Sequence, residues 1–432
     1  MRTNELILYR NFQRQDILDD LVSLFEIAAG KEALSFSEEK ALRGRLSDVI
    51  HRLLCLADDF GFSGNLWHCF LAYLLCNNEN PFSCACEIRG RIEGSMNDFA
   101  LHDFAIFREL FNADLVKLSG LFRLDVAVIV GAYTPYKDNG KTFNKRIRDR
   151  ICSLAVSLAK ADSDAAFMDV VTSFYRDFGV GRFGLNKAFR VCRDERGLMI
   201  EPIRNIKHVD LSDLVGYESA KKALVENTEA FLNGRSANNC LLYGDAGTGK
   251  STSIKAIANM YYERGLRVIE IYKHQFKDLN DVVSVIKDRN YKFIIYMDDL
   301  SFEESEVDYK YLKAVIEGSL EKRPENILIY ATSNRRHLIR ESFRDKKERD
   351  EDLHTNDTVQ EKLSLSARFG LSIYFGRPDQ REYHEIVKDL AGRAGIDIPE
   401  DELLSGADRW ELKYSGKSGR TAEQYITYLK GL

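Results

Sequence analysis

The sequence predicts an α/β chain with a five-stranded parallel sheet core, a helical C-terminal lid and a mainly α-helical N-terminal domain. Three observations predict it. Five short apolar runs, Cys240–Tyr243, Val268–Tyr272, Phe293–Met297, Ile327–Ala331 and Leu371–Phe375, alternate with helical stretches, the arrangement of strands joined by crossover helices. A glycine-rich octapeptide, Gly244-Asp245-Ala246-Gly247-Thr248-Gly249-Lys250-Ser251, joins the first run to a helix. Residues 1 to about 175 show helical spacing instead, with Val49, Ile50, Leu53, Leu54, Ala57 and Phe60 on one face and Phe167, Val170, Val171, Phe174 and Phe178 on another.

In chain order, residues 1–178 read as a helical domain. Residues 179–208 read as a hairpin and linker, because Ala188–Val191 and Leu198–Ile203 flank the turn Asp194-Glu195-Arg196-Gly197 and Pro202 opens a polar stretch. Residues 209–376 carry the sheet. Its helix Ser251–Arg264 stops at Gly265, and Asp308–Glu321 stops before Pro324. Residues 377–432 read as three or so helices after Gly376-Arg377-Pro378, and Arg340–Asp352 as a solvated, mixed-charge loop. The 432 residues exceed the ~250–300 that one core holds, so several domains are expected. With 44% hydrophobic residues, disorder is excluded. With 62 basic and 67 acidic residues, no global case for nucleic-acid binding exists. Eight cysteines in a chain of this length do not make a disulfide scaffold. No signal peptide is read at the N-terminus, and the longest apolar run, near Val126–Ala132, falls short of the ~18 residues of a membrane span. A cytoplasmic protein is expected, without a membrane.

The octapeptide matches the phosphate-binding loop in full. Its glycines let successive backbone N–H groups turn toward phosphate oxygens, and the helix that follows adds its positive end. Lys250 is expected to reach the β and γ phosphates and Ser251 to ligate Mg2+. Phe293–Met297 ends in Asp298 and Asp299, and ligands gather at the carboxyl ends of parallel strands. Asp298 is expected to hold the metal through water, and Asp299 to act as general base on the attacking water. Asn334, at the tip of the next run, has an amide to orient that water or touch the γ-phosphate. Arg368, before the fifth run, is placed to enter a neighbouring subunit's site, with Arg335, Arg336 and Arg344 as competitors. Arg420 opens the last helix and can face the phosphates.

At this point the sequence resembles the AAA+ ATPases, and within them the bacterial ATP-binding family called domain of unknown function 815. The residues that carry the resemblance run from Asp213-Leu214-Val215-Gly216-Tyr217 through the octapeptide, Met297–Glu304 and Ala331–Leu338, to Phe369-Gly370 and Gly419-Arg420-Thr421-Ala422. It covers about Gly179 to Leu432. It implies that Val215, Gly216 and Tyr217 lie against adenine. Gly244, Asp245, Ala246, Gly247, Thr248, Gly249, Lys250, Ser251 and Thr252 would hold ATP and its Mg2+. Asp298 and Asp299 would form Walker B, Asn334 the first sensor, Arg368 the arginine finger and Arg420 the second sensor. One departure is that Asp299 stands where such hydrolases place Glu, one methylene shorter, with Glu303 and Glu304 nearby as substitutes.

The expectation is an AAA+ ATPase, ATP and water to ADP and phosphate, forming a homo-oligomer through a finger acting in trans and moving a macromolecular partner through its N-terminal domain. Two alternatives stay open: a nucleotide-gated binding switch with little hydrolysis, and a DNA-associated loader. Other signals read as structural. Gly179-Val180-Gly181-Arg182-Phe183-Gly184 follows no strand. Cys69, Cys76, Cys84 and Cys86 with His68 lack paired Cys-x-x-Cys spacing. Lys141, Lys145, Arg146, Arg148 and Arg150 read as a solvated helix face, with a phosphate-backbone contact as the minority reading, and His274 and His337 as structural or surface residues.

Overall fold

The structure, a computed structural model, describes residues 2–31, 35–136, 144–195, 197–203, 208–302, 308–317, 324–336, 338, 365–414 and 416–431. Lys141, Glu303, Glu304, His337, Arg344 and the loop at Arg340–Asp352 lie outside the described residues. The chain divides into two compact units, Met1–Leu185 and Asn186–Leu432.

The first unit is helical. Its helices are α1 (Gln15–Gly30), α2 (Phe36–Phe60), α3 (Leu66–Asn77), α4 (Pro81–Cys86), α5 (Met96–Phe111), α6 (Leu115–Phe122), α7 (Val126–Ile129), α8 (Lys145–Ala159), α9 (Asp164–Phe178) and α10 (Gly181–Leu185). Local chemistry sets their ends. Ser35 and Glu38 close a capping box at the start of α2, and Gly61 ends that helix with φ +72°. Helix α3 is apolar nearly all round and is buried accordingly. The core is aromatic: the Phe104 ring lies 5.4, 5.8 and 5.6 Å from those of Tyr9, Phe82 and Phe167. The basic stretch is not wholly a solvated face, because Arg150 turns inward and lays its guanidinium 4.2 Å from the Phe178 ring centre. The Gly179–Gly184 string caps α9 and forms α10. Among the described residues no group of three or more His, Cys, Asp or Glu could hold a metal ion, and no helix is long and apolar enough to cross a membrane.

The second unit holds the sheet. Its strands are β1 (Ala188–Asp194), β2 (Gly197–Pro202), β3 (Cys240–Gly244), β4 (Leu266–Glu270), β5 (Lys292–Met297), β6 (Ile327–Ser333) and β7 (Leu371–Phe375). They lie in the order β2-β1-β4-β5-β6-β3-β7. The five anticipated strands are parallel to one another. The hairpin does more than link. Ala188–Arg190 pair in parallel with Val268–Glu270, so β1 and β2 enlarge the sheet to seven strands. The physical reason is that β4 would otherwise present a row of unpaired backbone groups at an edge.

Crossover helices are α11 (Glu218–Leu232), α12 (Lys250–Tyr261), α13 (Leu279–Ile286) and α14 (Tyr309–Glu317); the rest of the anticipated Asp308–Glu321 helix lies outside the described residues. Helix α12 tightens into a 3-10 turn, Tyr262–Arg264, and stops at Gly265 with φ +87°. Three more helices, α15 (Gln380–Ala394), α16 (Glu400–Tyr414) and α17 (Gly419–Lys430), build a small core of their own around Tyr383, Val387, Ala407 and Ala422, with Val215 packed against it.

Candidate functional site

The loop between β3 and α12 is shaped by three glycines with left-handed φ, Gly244 (+138°), Gly247 (+76°) and Gly249 (+90°). At Gly244 a Cβ would fall 2.0 Å from the carbonyl oxygen of Phe375, and at Gly249 2.2 Å from Leu214 Cδ1, so neither position has room for a side chain. The loop is therefore wedged against the end of β7 on one side and Leu214 on the other. Thr248 Oγ1 closes it by donating to the Asp245 carbonyl at 2.8 Å.

Lys250, the first residue of α12, is buried. Its Nζ donates to the carbonyls of Gly244 (2.9 Å) and Asp245, and to Asn334 Oδ1 at 3.1 Å. Burial pulls its pKa down, and the charges of Asp245, Asp299 and Asp298 only partly restore it. Facing it, Asp298 Oδ1 accepts three hydroxyls: Ser251 at 2.7 Å, Tyr296 at 2.6 Å and Thr332 at 2.6 Å. Partial burial alone would raise the Asp298 carboxyl; the hydroxyls of Thr332, Tyr296 and Ser251, with the charge of Lys255, outweigh it and hold the carboxyl below its ordinary range. Asp299 stands at φ +48°, accepts the Asn334 amide at 2.7 Å and donates its own N–H to Thr332 Oγ1 at 2.9 Å.

These groups face one cavity of about 780 Å³. Of the residues anticipated from sequence, Val215, Tyr217, Ala246, Gly247, Thr248, Gly249, Lys250, Ser251, Thr252, Asp298, Asp299, Asn334 and Arg420 line it. Gly216, Gly244 and Asp245 are not among the lining residues; the last two contribute the carbonyls that hold Lys250. Tyr217 is a non-glycine residue at φ +60°, and its hydroxyl donates to the Gly376 carbonyl at 3.0 Å. Burial and the nearby charges of Glu382 and Asp245 push its phenol up to about 12. Arg420 sits at the head of α17, and its backbone N–H points to the Gly247 carbonyl at 3.4 Å. Arg368 does not line the cavity. It precedes β7, and the cavity lies at the opposite, carboxyl end of the sheet. Arg335 and Arg336 do not line it either.

The lining also includes residues not anticipated: Thr332, Leu214, Lys255, Ile386, Leu390 and Arg393. The signals were periodic. Thr332 lies two residues before Asn334 on one strand face, as Tyr296 lies two before Asp298. Lys255 is one helical turn beyond Ser251, and Ile386, Leu390 and Arg393 recur along one face of α15. Arg393 is tied to Asp213 and to the Ser212 carbonyl.

The model of a family described as protein of unknown function, DUF815, matches residues 185–432. The chain belongs to the DUF815 family. The parallel strands β4-β5-β6-β3-β7, the glycine loop that follows β3 and the three helices after β7 give this DUF815 member the α/β architecture expected from sequence. A curated relative, the replication factor C large subunit of Staphylothermus marinus, is 36% identical over 78 residues, which are 18% of this chain and 18% of that relative. Among solved structures, the Thermotoga maritima RuvB Holliday junction branch migration motor is similar at 16% identity and a TM-score of 0.38, over 52% of this chain and 65% of that one. The FIGL-1 AAA domain, solved in complex with ADP, is similar at 20% identity and a TM-score of 0.34, over 51% of this chain and 72% of its own.

Proposed function

We propose that the chain is a magnesium-dependent ATPase, and that hydrolysis drives its lid against its core to remodel or release a macromolecular partner. The observation that carries this reading is the meeting of buried Lys250, the glycine loop and the pair Asp298–Asp299 in one cavity. The donor set fits a metal–triphosphate: a serine hydroxyl lies 2.7 Å from a carboxylate kept ionised, beside a buried cation and a loop of glycine backbone. Ser251 and Asp298 would hold Mg2+, which when bound neutralises charge on the phosphate oxygens.

The chain's own groups would then work by position and charge. Lys250 exchanges its carbonyl and amide partners for phosphate oxygens. Asn334, released from Lys250, orients water. Asp299 accepts a proton from it. Arg420 brings the lid to the phosphates. Val215 and Tyr217, with Gly216 between them, flank the base. Arg368, away from its own chain's cavity, serves a neighbouring copy, so the active form is a homo-oligomer. The first unit selects the partner, and a cytoplasmic setting suits a chain whose described cysteines form no disulfide.

A turnover assay tests this. Wild type should release phosphate from ATP only with magnesium, and Lys250→Ala should not; equal release by both sinks the proposal. One observation favours a second reading, a nucleotide-gated switch: Asp299 is shorter than Glu, and its Oδ1 already holds the Asn334 amide. Tight ATP binding by wild type, with no more phosphate release than Asp299→Asn, decides for the switch.

A further inference from the structure

We propose that Thr332 is a positioning residue that sets both carboxylates of the site at once; the proposal rests on the ATPase reading. A threonine hydroxyl has one proton to give and lone pairs to receive. Thr332 Oγ1 uses both: it donates to Asp298 Oδ1 at 2.6 Å and accepts the Asp299 N–H at 2.9 Å. Its own backbone is fixed, because its carbonyl accepts Leu300 N–H at 2.7 Å and it pairs in register with Leu242 in the middle of the sheet. The residue is 1% exposed, which favours these two internal partners over solvent.

Two consequences follow for the chemistry. The three hydroxyls crowd onto Oδ1 of Asp298, and among the described residues no hydrogen bond reaches Oδ2. The carboxylate is thus held in one rotation, with one oxygen free for a metal or its water. Asp299 occupies a left-handed conformation that a non-glycine residue adopts only against a steric cost. Its N–H bond to Thr332 holds that conformation and so aims the Asp299 carboxylate at Asn334. Tyr296 differs: its hydroxyl donates to Asp298 beside those of Ser251 and Thr332, and it does not hold the Asp299 backbone.

The test uses the full chain and three variants. Thr332→Val keeps shape and β-branching and removes both bonds. Thr332→Ser keeps the hydroxyl. Tyr296→Phe removes one donor to Asp298 and leaves Asp299 untouched. Mn2+ binding in the presence of ADP, followed by its electron paramagnetic resonance signal, reads the metal site without turnover; phosphate release at saturating Mg2+ reads Asp299. Thr332→Val should weaken Mn2+ uptake ~10-fold or more, the usual effect of losing a partner behind a metal ligand, and should also lower the saturated rate. Thr332→Ser should restore both. Tyr296→Phe should weaken Mn2+ uptake and lower the saturated rate less than Thr332→Val does, because the Asp299 N–H keeps its acceptor. If the valine variant does not fold, Thr332→Ala replaces it in the same comparison. Wild-type Mn2+ affinity and rate in Thr332→Val overturns the proposal, as does a serine variant as impaired as the valine one. Failure of wild type to take up Mn2+ with ADP overturns the ATPase reading itself, and the role of Thr332 falls with it.

Discussion

Two aspartates, one in each unit, accept three hydrogen bonds apiece and do opposite things with them. Asp103, on α5, is fully buried, and its two oxygens take the backbone N–H groups of Ile7, Leu8 and Tyr9 at 2.9, 2.8 and 2.9 Å. Both oxygens are engaged and the residue is fully buried, so no ligand reaches the carboxylate; it fastens the N-terminal segment onto the helices. Asp298 takes its three bonds from side-chain hydroxyls, all on one oxygen, at the wall of a cavity. A carboxylate that satisfies backbone serves stability, whereas one satisfied on a single side by side chains is held ready for something else.

The comparison can be broken by exchanging the consequences. Asp103→Ala strands three N–H groups, that of Tyr9 buried and those of Ile7 and Leu8 partly so, at up to ~1–3 kcal/mol each, and should cost roughly 3 kcal/mol of stability in urea melts. Its phosphate release per folded molecule should stay at the wild-type level; lost release with an unchanged melt would reverse the contrast. Lys250→Ala should do the opposite. Loss of one preorganised charge donor lowers turnover at least ~100-fold, about 2.7 kcal/mol of barrier, with little change in the melt. A large destabilisation there would mean that the buried ammonium serves the fold.

A smaller effect sharpens the contrast through pH. The Asp298 carboxyl is held below its ordinary range in the folded chain. Its stabilising share is therefore complete above the ordinary carboxylate pKa of ~3.9 and disappears as pH falls through the lowered value. Melts of wild type and Asp298→Ala should differ at pH 7 and converge in acid; a gap that widens in acid contradicts the assignment. Smallest is Ser35→Ala, which opens the α2 capping box and should cost ~1 kcal/mol, read as a lower melting point with unchanged phosphate release.

Much of the second unit was legible. The central strands fell where short apolar runs stop at glycine or aspartate, and Lys250, Ser251, Asp298, Asp299 and Asn334 were marked by motif and position. The hairpin's place was not, because an edge strand reads the same whether it links or pairs. Thr332 and Tyr296 were overlooked because a hydroxyl inside an apolar strand looks like ordinary filling until its partner strand is known. Arg393, Ile386 and Leu390 line the cavity from α15, and helical spacing named their common face without saying what it faced. Arg368 lies at the end of the sheet away from the cavity, as a residue ahead of a parallel strand must.

The sequence alone determined the order of strands and helices, the glycine loop and the identity of the charged residues at its rim, because backbone geometry at φ above zero and the continuous apolar runs of buried parallel strands are local features of the chain. Only the tertiary structure decided that β1 joins β4, that Thr332 serves two carboxylates and that Asp103 anchors backbone while Asp298 faces a cavity. Those outcomes depend on which distant segments share an edge or a buried oxygen, and hydrogen-bond demand at a buried group is met by whatever the fold brings within about 3 Å.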